Sequence, residues 1–468
     1  MNITKNSKTI RIISLFFITV YFSFLSFVQA DSLATEKLLE ILKGKGYLTE
    51  EEVVEIKGVL KEEEKKEIEI VYEEGLYLQK KDKSIDVRIG GLIQTDFRVF
   101  DLQYPKENKF DIRRARIILE GTVFDYFKYK LEAELEGSRN RRMVDGCIGF
   151  DYFPFLKLKL GQFKEPFSLE HLTIDKDTDF IERSMVFHLT PKRDMGFMIH
   201  GRLFDDAFGY GIGIFNGHGY DETGGEVGED DKDICCRLNL KPFQWTRISF
   251  LKELHVGGSF AHAYIDRSDV YFDIETAGFT KFLRVTPRAK YYLLLDVDDR
   301  RRIGWELAWG WGPLVVKGEW VKNYYHELLL TSDEKFDFNM KAWYLSCLVM
   351  LTGEHPEMKG GVFERIRPYK DFSLKLKNWG ALGLTFRLEK FNAERIIYDH
   401  LINEDYFVRG ANAYTLGINW YLNSMTKVCL NYTHYSFSSP LYLGTDEKGR
   451  AMYTDNEDIF ATRFQLEF

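Results

Sequence analysis

The chain has 468 residues, 45% of them hydrophobic, with 38 Phe, 26 Tyr, 8 Trp and 37 Gly against only 10 Pro. Strand-forming aromatics and turn-forming glycines in that balance favour an all-β protein. A formal net charge of -8, with no basic tail or aromatic-basic patch, excludes a chain built to bind nucleic acid.

Residues 1–30 read as an export signal: Lys5, Lys8 and Arg11 precede the apolar run IISLFFITVYFSFLSFV, and the small residue Ala30 closes it before Asp31. A retained membrane helix is the alternative, because the run is nearly long enough to span. Residues 31–83 read as a helical hairpin or the start of a coiled coil, followed by a linker, on the periplasmic side. Leu38 and Leu42 have helical spacing, a glycine turn follows, and Thr49 is a cap candidate with Glu52 three residues on. A flexible acidic linker is the other reading of this stretch.

From residue 84 onward a period of two dominates. In FKYKLEAELEG, Phe127, Tyr129, Leu131, Ala133 and Leu135 oppose Lys128, Lys130, Glu132, Glu134 and Glu136. In FLKLKLGQF, Leu156, Leu158 and Leu160 oppose Lys157 and Lys159, and in FSLKLKNWG the spacing predicts another strand, with Phe372, Leu374 and Leu376 opposite Lys375 and Lys377. The terminal DIFATRFQLEF sets Phe460, Thr462, Phe464, Leu466 and Phe468 against Ala461, Arg463, Gln465 and Glu467. A soluble sandwich would also alternate. The number of segments, their length and the aromatics near their ends fit a transmembrane antiparallel β-barrel of about sixteen strands, apolar toward lipid and charged toward a lumen. Closure satisfies every backbone group that lipid would leave unpaired.

Short links at 124–127, 153–155, 204–209 and 241–245 suit the periplasmic rim, and the longer polar connections after residues 137, 163 and 215 suit the exterior. The connection from Lys164 to Arg193 is then the third outer loop, long enough to fold back and narrow a pore. DDRRR at 298–302 reads as a charged turn. One stretch resists the alternation. In FDIRRARIILEG, Arg114, Arg116 and Glu120 share the lumen face, and Arg113 falls on the apolar side. It must sit at the strand edge, turn inward through a bulge or strand shift, or snorkel toward an interface.

The five cysteines, at 147, 235, 236, 347 and 429, are sparse and odd in number, unlike a disulfide framework or a metal-ligand repeat. Cys235 and Cys236 would point to opposite faces of a strand. DETGGEVGEDDKD at 221–233 has the oxygen ligands of a calcium loop without its spacing, and reads as a solvated outer loop. No GxSxG elbow, HExxH helix or complete phosphate-binding loop occurs, so no enzyme, cofactor or metal is expected.

IRRARIILEG, YKLEAELEG, LGQFKEPFSLE, FIERS, PKRDMGF, YGIGIFNGHG and the terminal TRFQLEF, taken in this order, resemble the phosphate-selective porin O and P family. The resemblance implies a sixteen-stranded outer-membrane porin, commonly a homotrimer, with an inward third loop and a central pathway for small anions. It carries over Arg113 and Arg114 as constriction contacts, and Lys176 in LTIDKDTDF as the third loop's lysine. Alternation alone selects Arg114 and Arg116, with Lys128, Lys130, Lys157, Lys159 and Arg463 as further lumen-facing cations. The acidic 221–233 stretch and Asp175, Asp177 and Asp179 depart from an all-basic pathway. The expectation is therefore a porin for passive diffusion of small hydrophilic solutes and ions, leaning toward anions. A dedicated phosphate or polyphosphate channel, and a non-channel β-rich binding or adhesive protein, are the alternatives. Its surroundings would be outer-membrane lipid and lipopolysaccharide.

Overall fold

The computed structural model describes residues 40–41, 43–45, 49–51, 53–54, 56–57, 68–72, 75–82, 84–101, 106–137, 143–217, 232–265, 272–285, 294–446 and 448–468. Residues 1–30, read above as an export signal, much of the segment read as a helical hairpin, and the acidic stretch 221–231 lie outside them. The chain divides into two units, residues 1–67 and 68–468. In the first, residues 40–41, 43–44, 50–51, 53–54 and 56–57 are helical.

The second unit is a closed antiparallel barrel. Its strands are β1 (Ile85–Phe100), β2 (Lys109–Val123), β3 (Phe127–Glu134), β4 (Met143–Phe153), β5 (Leu156–Lys164), β6 (Arg193–Leu203), β7 (Phe208–Phe215) and β8 (Asp233–Leu240). They continue as β9 (His255–Tyr264), β10 (Asp299–Trp311), β11 (Leu314–Leu330), β12 (Lys335–Met350), β13 (Ala381–Ala393), β14 (Gly410–Tyr421), β15 (Thr426–Thr445) and β16 (Ala451–Glu467). Each pairs with its sequence neighbour, and β16 returns to β1 with Ile459 opposite Phe100 and Glu467 opposite Leu92. Sixteen strands close the wall, as the alternation predicts. A hairpin of Ile68–Tyr72 and Leu76–Lys80 extends it below the end of β16, pairing Leu76 with Ile89 and Gln79 with Asp86.

Outward residues are apolar and exposed: Leu131, Leu160, Ile212, Leu416, Phe460 and Phe464 all face away from the lumen. Inward residues are buried and mostly polar, including Gln94, Asp96, Arg98, Glu132, Arg387 and Arg463. Cys235 is buried on the inner face and Cys236 stands on the outer one; all five cysteines are free.

Two sequence expectations fail. Residues 372–377 are no strand: Ser373 bridges Asn378 across a tight turn, with Lys377 at φ 55°, and Leu374 and Leu376 are left exposed. Four alternating residues cannot distinguish a strand from a turn whose tip happens to alternate. Likewise DDRRR is not a turn, because β10 already begins at Asp299 and sends Arg300 and Arg302 inward to Asp233, at 3.1 and 3.2 Å.

Three connections enter the lumen. The first, 165–192, contains a short helix at Leu169–Leu172 and a 3-10 turn at Met185–Leu189. The second carries a hairpin, Phe272–Glu275 with Lys281–Val285, whose Phe282 packs on the inward Phe391 and Phe437 at 5.6 and 5.9 Å between ring centroids. The third, 351–380, enters from the opposite, short-turn end. There Gly361 accepts from Arg237 at 2.9 Å, Met358 accepts from Lys241 at 2.7 Å, and Arg365 pairs with Glu467.

Candidate functional site: the lumen and its inward loop

The adjacent arginines of β2 both face inward, and a bulge is the reason. Gln94 opposes Arg114, but the next residue, Thr95, opposes Ile112, so Arg113 is the extra residue. The bulge reverses the alternation. Phe110 and Ile112 point outward before it, and Ala115 and Ile117 after it.

Both arginines, with Arg116, meet carboxylates of the inward loop. Arg113 donates from Nε to Glu182 at 3.0 Å, and its guanidinium lies 5.3 Å from the Phe279 ring centroid. Arg114 sits 3.4 Å from Asp175 and donates to Gln94 at 2.8 Å. Arg116 reaches Glu132, Glu134 and Asp175 at 2.7, 2.8 and 2.8 Å. From β16, Arg463 binds Asp96 at 2.7 Å and Glu182 at 3.2 Å, and donates to the Ile181 carbonyl at 2.6 Å. Burial works against ionisation of Asp175, but Arg114, Arg116 and Arg183 outweigh it and hold its carboxyl well below the usual range. Glu182 is likewise depressed, burial being overcome by Arg113, Arg463 and Arg98.

The rest of the loop is held by inward side chains from around the barrel. Glu319 accepts from the Leu169 and Glu170 N–H groups at 2.9 and 2.7 Å, which satisfies the open start of the short helix. Asn431 accepts from Ile181 N–H at 2.7 Å, Glu389 accepts from Met185 N–H at 2.6 Å, and Asn419 donates to the Asp179 carbonyl at 2.8 Å. Lys164 donates to the His171 and Thr173 carbonyls at the end of the helix, at 2.6 and 2.9 Å. Lys176 pairs with Glu467 at 2.5 Å. Gly211 gives the loop room: a Cβ there would approach Pro166 to 3.0 Å.

Below the loop, two adjoining cavities of ≈ 270 and ≈ 360 Å³ share Lys130, Lys159 and His200. They run along the inner faces of β1 to β8. Lys130 is bound to Glu132 and Asp145 at 2.7 and 2.8 Å, and Lys157 to Asp151 at 2.9 Å. Lys128 and Lys159 differ. They stand on either side of Gly149 in one register row. Lys128 donates to Thr122 Oγ1 at 2.5 Å, Lys159 lies 4.6 Å over the Phe163 ring, and neither has a carboxylate partner among the described residues.

The sequence reading passed over Arg193, Arg202 and Arg237, which also line this path. The signal was present for two of them, since Met195, Phe197 and Ile199 alternate outward against Arg202, and Ile234, Cys236 and Leu238 against Arg237. Arg193 is reached through its 2.7 Å contact with Asp145 rather than through strand parity.

The description phosphate-selective porin O and P fits residues 87–280 and 283–468. The chain belongs to that family. Porin O of Pseudomonas aeruginosa is 26% identical over 427 residues, covering 84% of this chain and 91% of that one. The barrel also superposes on OmpT of Vibrio cholerae in its trimer form, with a TM-score of 0.51 at 12% identity over 82% of this chain and all of that one. The loop L8 deletion mutant of OmpT gives 0.50 at 12% identity over the same share. Those two superpositions speak for the fold alone. As a member of the porin family, the chain is a non-enzymatic outer-membrane channel protein, and no cluster of metal-ligating side chains occurs among its described residues.

Proposed function

We propose that this porin passes small hydrophilic solutes and ions along one wall of its lumen, with anions favoured. In this reading the loop 165–192 sets the narrow zone. Arg113, Arg114, Arg116 and Arg463 serve mainly to fix that loop, and Lys176 does the same from the loop side. Lys128 and Lys159, flanking Gly149 without carboxylates, are the anion contacts, and Lys130 and Lys157 add a weaker, partly neutralised field. That pairing pattern is the observation that carries the proposal. A channel needs sites attractive enough to admit an ion and weak enough to release it.

The same pattern favours a general porin over a dedicated phosphate channel. Tight phosphate recognition would call for uncommitted guanidinium groups able to bind in a fork, whereas Arg116 already engages three carboxylates. In this reading the 165–192 end of the barrel lies outside the cell and the short turns in the periplasm, which the unequal lengths of the connections support, and the segment before residue 84 is periplasmic.

A trimer fits the unequal wall height. β3 and β7 have eight residues each, and β15 has twenty. Tilted strands of eight residues reach only about 20 Å, short of a lipid-facing band of about 25 Å, so this side is the one a neighbouring copy would cover.

The test is a planar-bilayer measurement of reversal potential under a salt gradient, with chloride and then phosphate. Lys128→Gln combined with Lys159→Gln should lower the anion-to-cation permeability ratio about five-fold or more, from the ~1 kcal/mol that one charge exerts at contact distance in water. An unchanged ratio would remove both lysines from the pathway. Absence of conductance steps from refolded protein would remove the channel reading.

A further inference from the structure

The outer surface of β10 to β13 carries an ordered pattern that conduction does not use. Trp305 stands directly across from Trp320, and Trp320 across from Trp343, giving three indoles in one row on adjacent strands. Such a row marks the edge of the apolar band. Two residues further toward the long-loop end, on the same face, Lys322 on β11 opposes Lys341 on β12. Lys390 lies across from Trp343 on β13, and Arg301 across from Tyr324 on β10. Lys322 lifts its ammonium over the Tyr324 ring, 4.1 Å from the centroid, so it leans away from the indole row.

Like charges directly across a strand pair are destabilising. Among the described residues no carboxylate offsets them: none pairs with Lys322, Lys341 or Lys390. Asp337, four residues above Lys341 on the same face, is taken by His326 at 3.5 Å, and Asp299 is the partner of Arg301 at 2.8 Å. At the same height β14 presents Asn412, and on β15 the outward His434 is already bound to Asp458 at 2.9 Å.

We propose that Lys322, Lys341 and Lys390, with Arg301 beside them, bind the phosphate groups of a phosphorylated glycolipid in the outer leaflet. The acyl chains would lie along the apolar surface below the indoles. The site rests on the orientation given above, with the long-loop end outside the cell. Occupancy by an anionic headgroup turns a repulsive row into a bridged one, as basic clusters at a membrane surface do with anionic lipids.

The experiment is native mass spectrometry of refolded protein with a bis-phosphorylated lipid A, its dephosphorylated form and phosphatidylcholine. The parent protein should retain only the phosphorylated glycolipid. Lys322→Gln with Lys341→Gln should weaken that retention about thirty-fold, from about 1 kcal/mol for each lysine, and Lys322→Arg with Lys341→Arg should keep it. In neutral detergent the glutamine variant should unfold no earlier than the parent, since the like-charge pair is gone. Equal retention of both glycolipids, or full retention by the glutamine variant, overturns the site. Bilayer conductance of the same samples separates the two ideas: normal conductance without lipid preference rejects the site and leaves the channel, and protein that neither inserts nor conducts rejects both.

Discussion

The two sides of the lumen solve different problems with one backbone. Along β3 to β7 the inner face carries glycines and paired or single lysines, among them Gly149, Gly211, Lys128 and Lys159, and leaves open space. Along β11 to β15, toward the long-loop end, the inner face is aromatic: Tyr325 stacks on Phe338 at 4.7 Å, and Phe391, Tyr435 and Phe437 join them in one buried cluster with Phe282 and Leu283 of the inward hairpin. A barrel this wide cannot fill itself with wall side chains alone. One side is plugged by apolar packing and the other is kept open by charge. The difference shows that pore shape here is set by what fills the barrel more than by the number of its strands.

The sharpest way to break the contrast is to release the loop that separates the two sides. Asp175→Asn with Glu182→Gln leaves Arg113, Arg114, Arg116 and Arg463 in the lumen without their loop carboxylates. Removing one member of a buried pair costs about 3–5 kcal/mol. The expected result is a larger, noisier single-channel current with stronger anion preference, read in the same bilayer. A quiet current of parental size would mean that the backbone contacts from Glu319, Asn431 and Glu389 hold the loop by themselves.

These loop contacts could not be read from the sequence, although the barrel could. Period-two alternation is a local signal, and it found the wall and the closing strand because each depends only on neighbours in the chain. Even the bulge at Arg113 left a trace: apolar residues at 110 and 112 shift phase to 115, 117 and 119. What joins Glu182 to Arg113 and Arg463 is tertiary, across 69 and 281 positions. Resemblance to the family supplied an inward third loop but assigned the arginines to the passing ion, and the carboxylates that meet them looked like a departure from the pattern. The plug stayed hidden for a different reason. At Tyr324 and Tyr325 both faces of β11 are aromatic and alternation loses its contrast, while at Phe336 and Phe338 it is inverted, with polar Asp337 and Asn339 outward and the aromatics inward.

A second perturbation addresses that plug. Phe391 is fully buried and its ring meets Phe282 edge-on. Phe391→Ala should destabilise the packed side by about 3–5 kcal/mol. Protease cleavage within 272–285 should become faster, with little change in the Lys128 and Lys159 pathway. If ion selectivity changed as much as cleavage, the two sides would be coupled and the comparison would fail.

The finest test uses protons, because neighbouring carboxylates of one loop are shifted in opposite directions. Asp177 is raised above its ordinary 3.8 by burial, with Lys176 and Arg365 opposing. Asp175 and Glu182, ordinarily 3.8 and 4.5, are lowered against the pull of burial by the arginines around them. A depressed acid contributes stability that is present above its unfolded value and is lost only as pH falls through its folded one. The loop's ion pairs should therefore persist through pH 4.5 and give way in stronger acid. Asp177 should take its proton first, removing one negative charge beside Lys176 and tilting the reversal potential slightly toward anions. On lowering the pH, the small selectivity change should come before any rise in current noise. If the order were reversed, with noise appearing while selectivity was still constant, Asp175 and Glu182 would not be the groups that hold the loop.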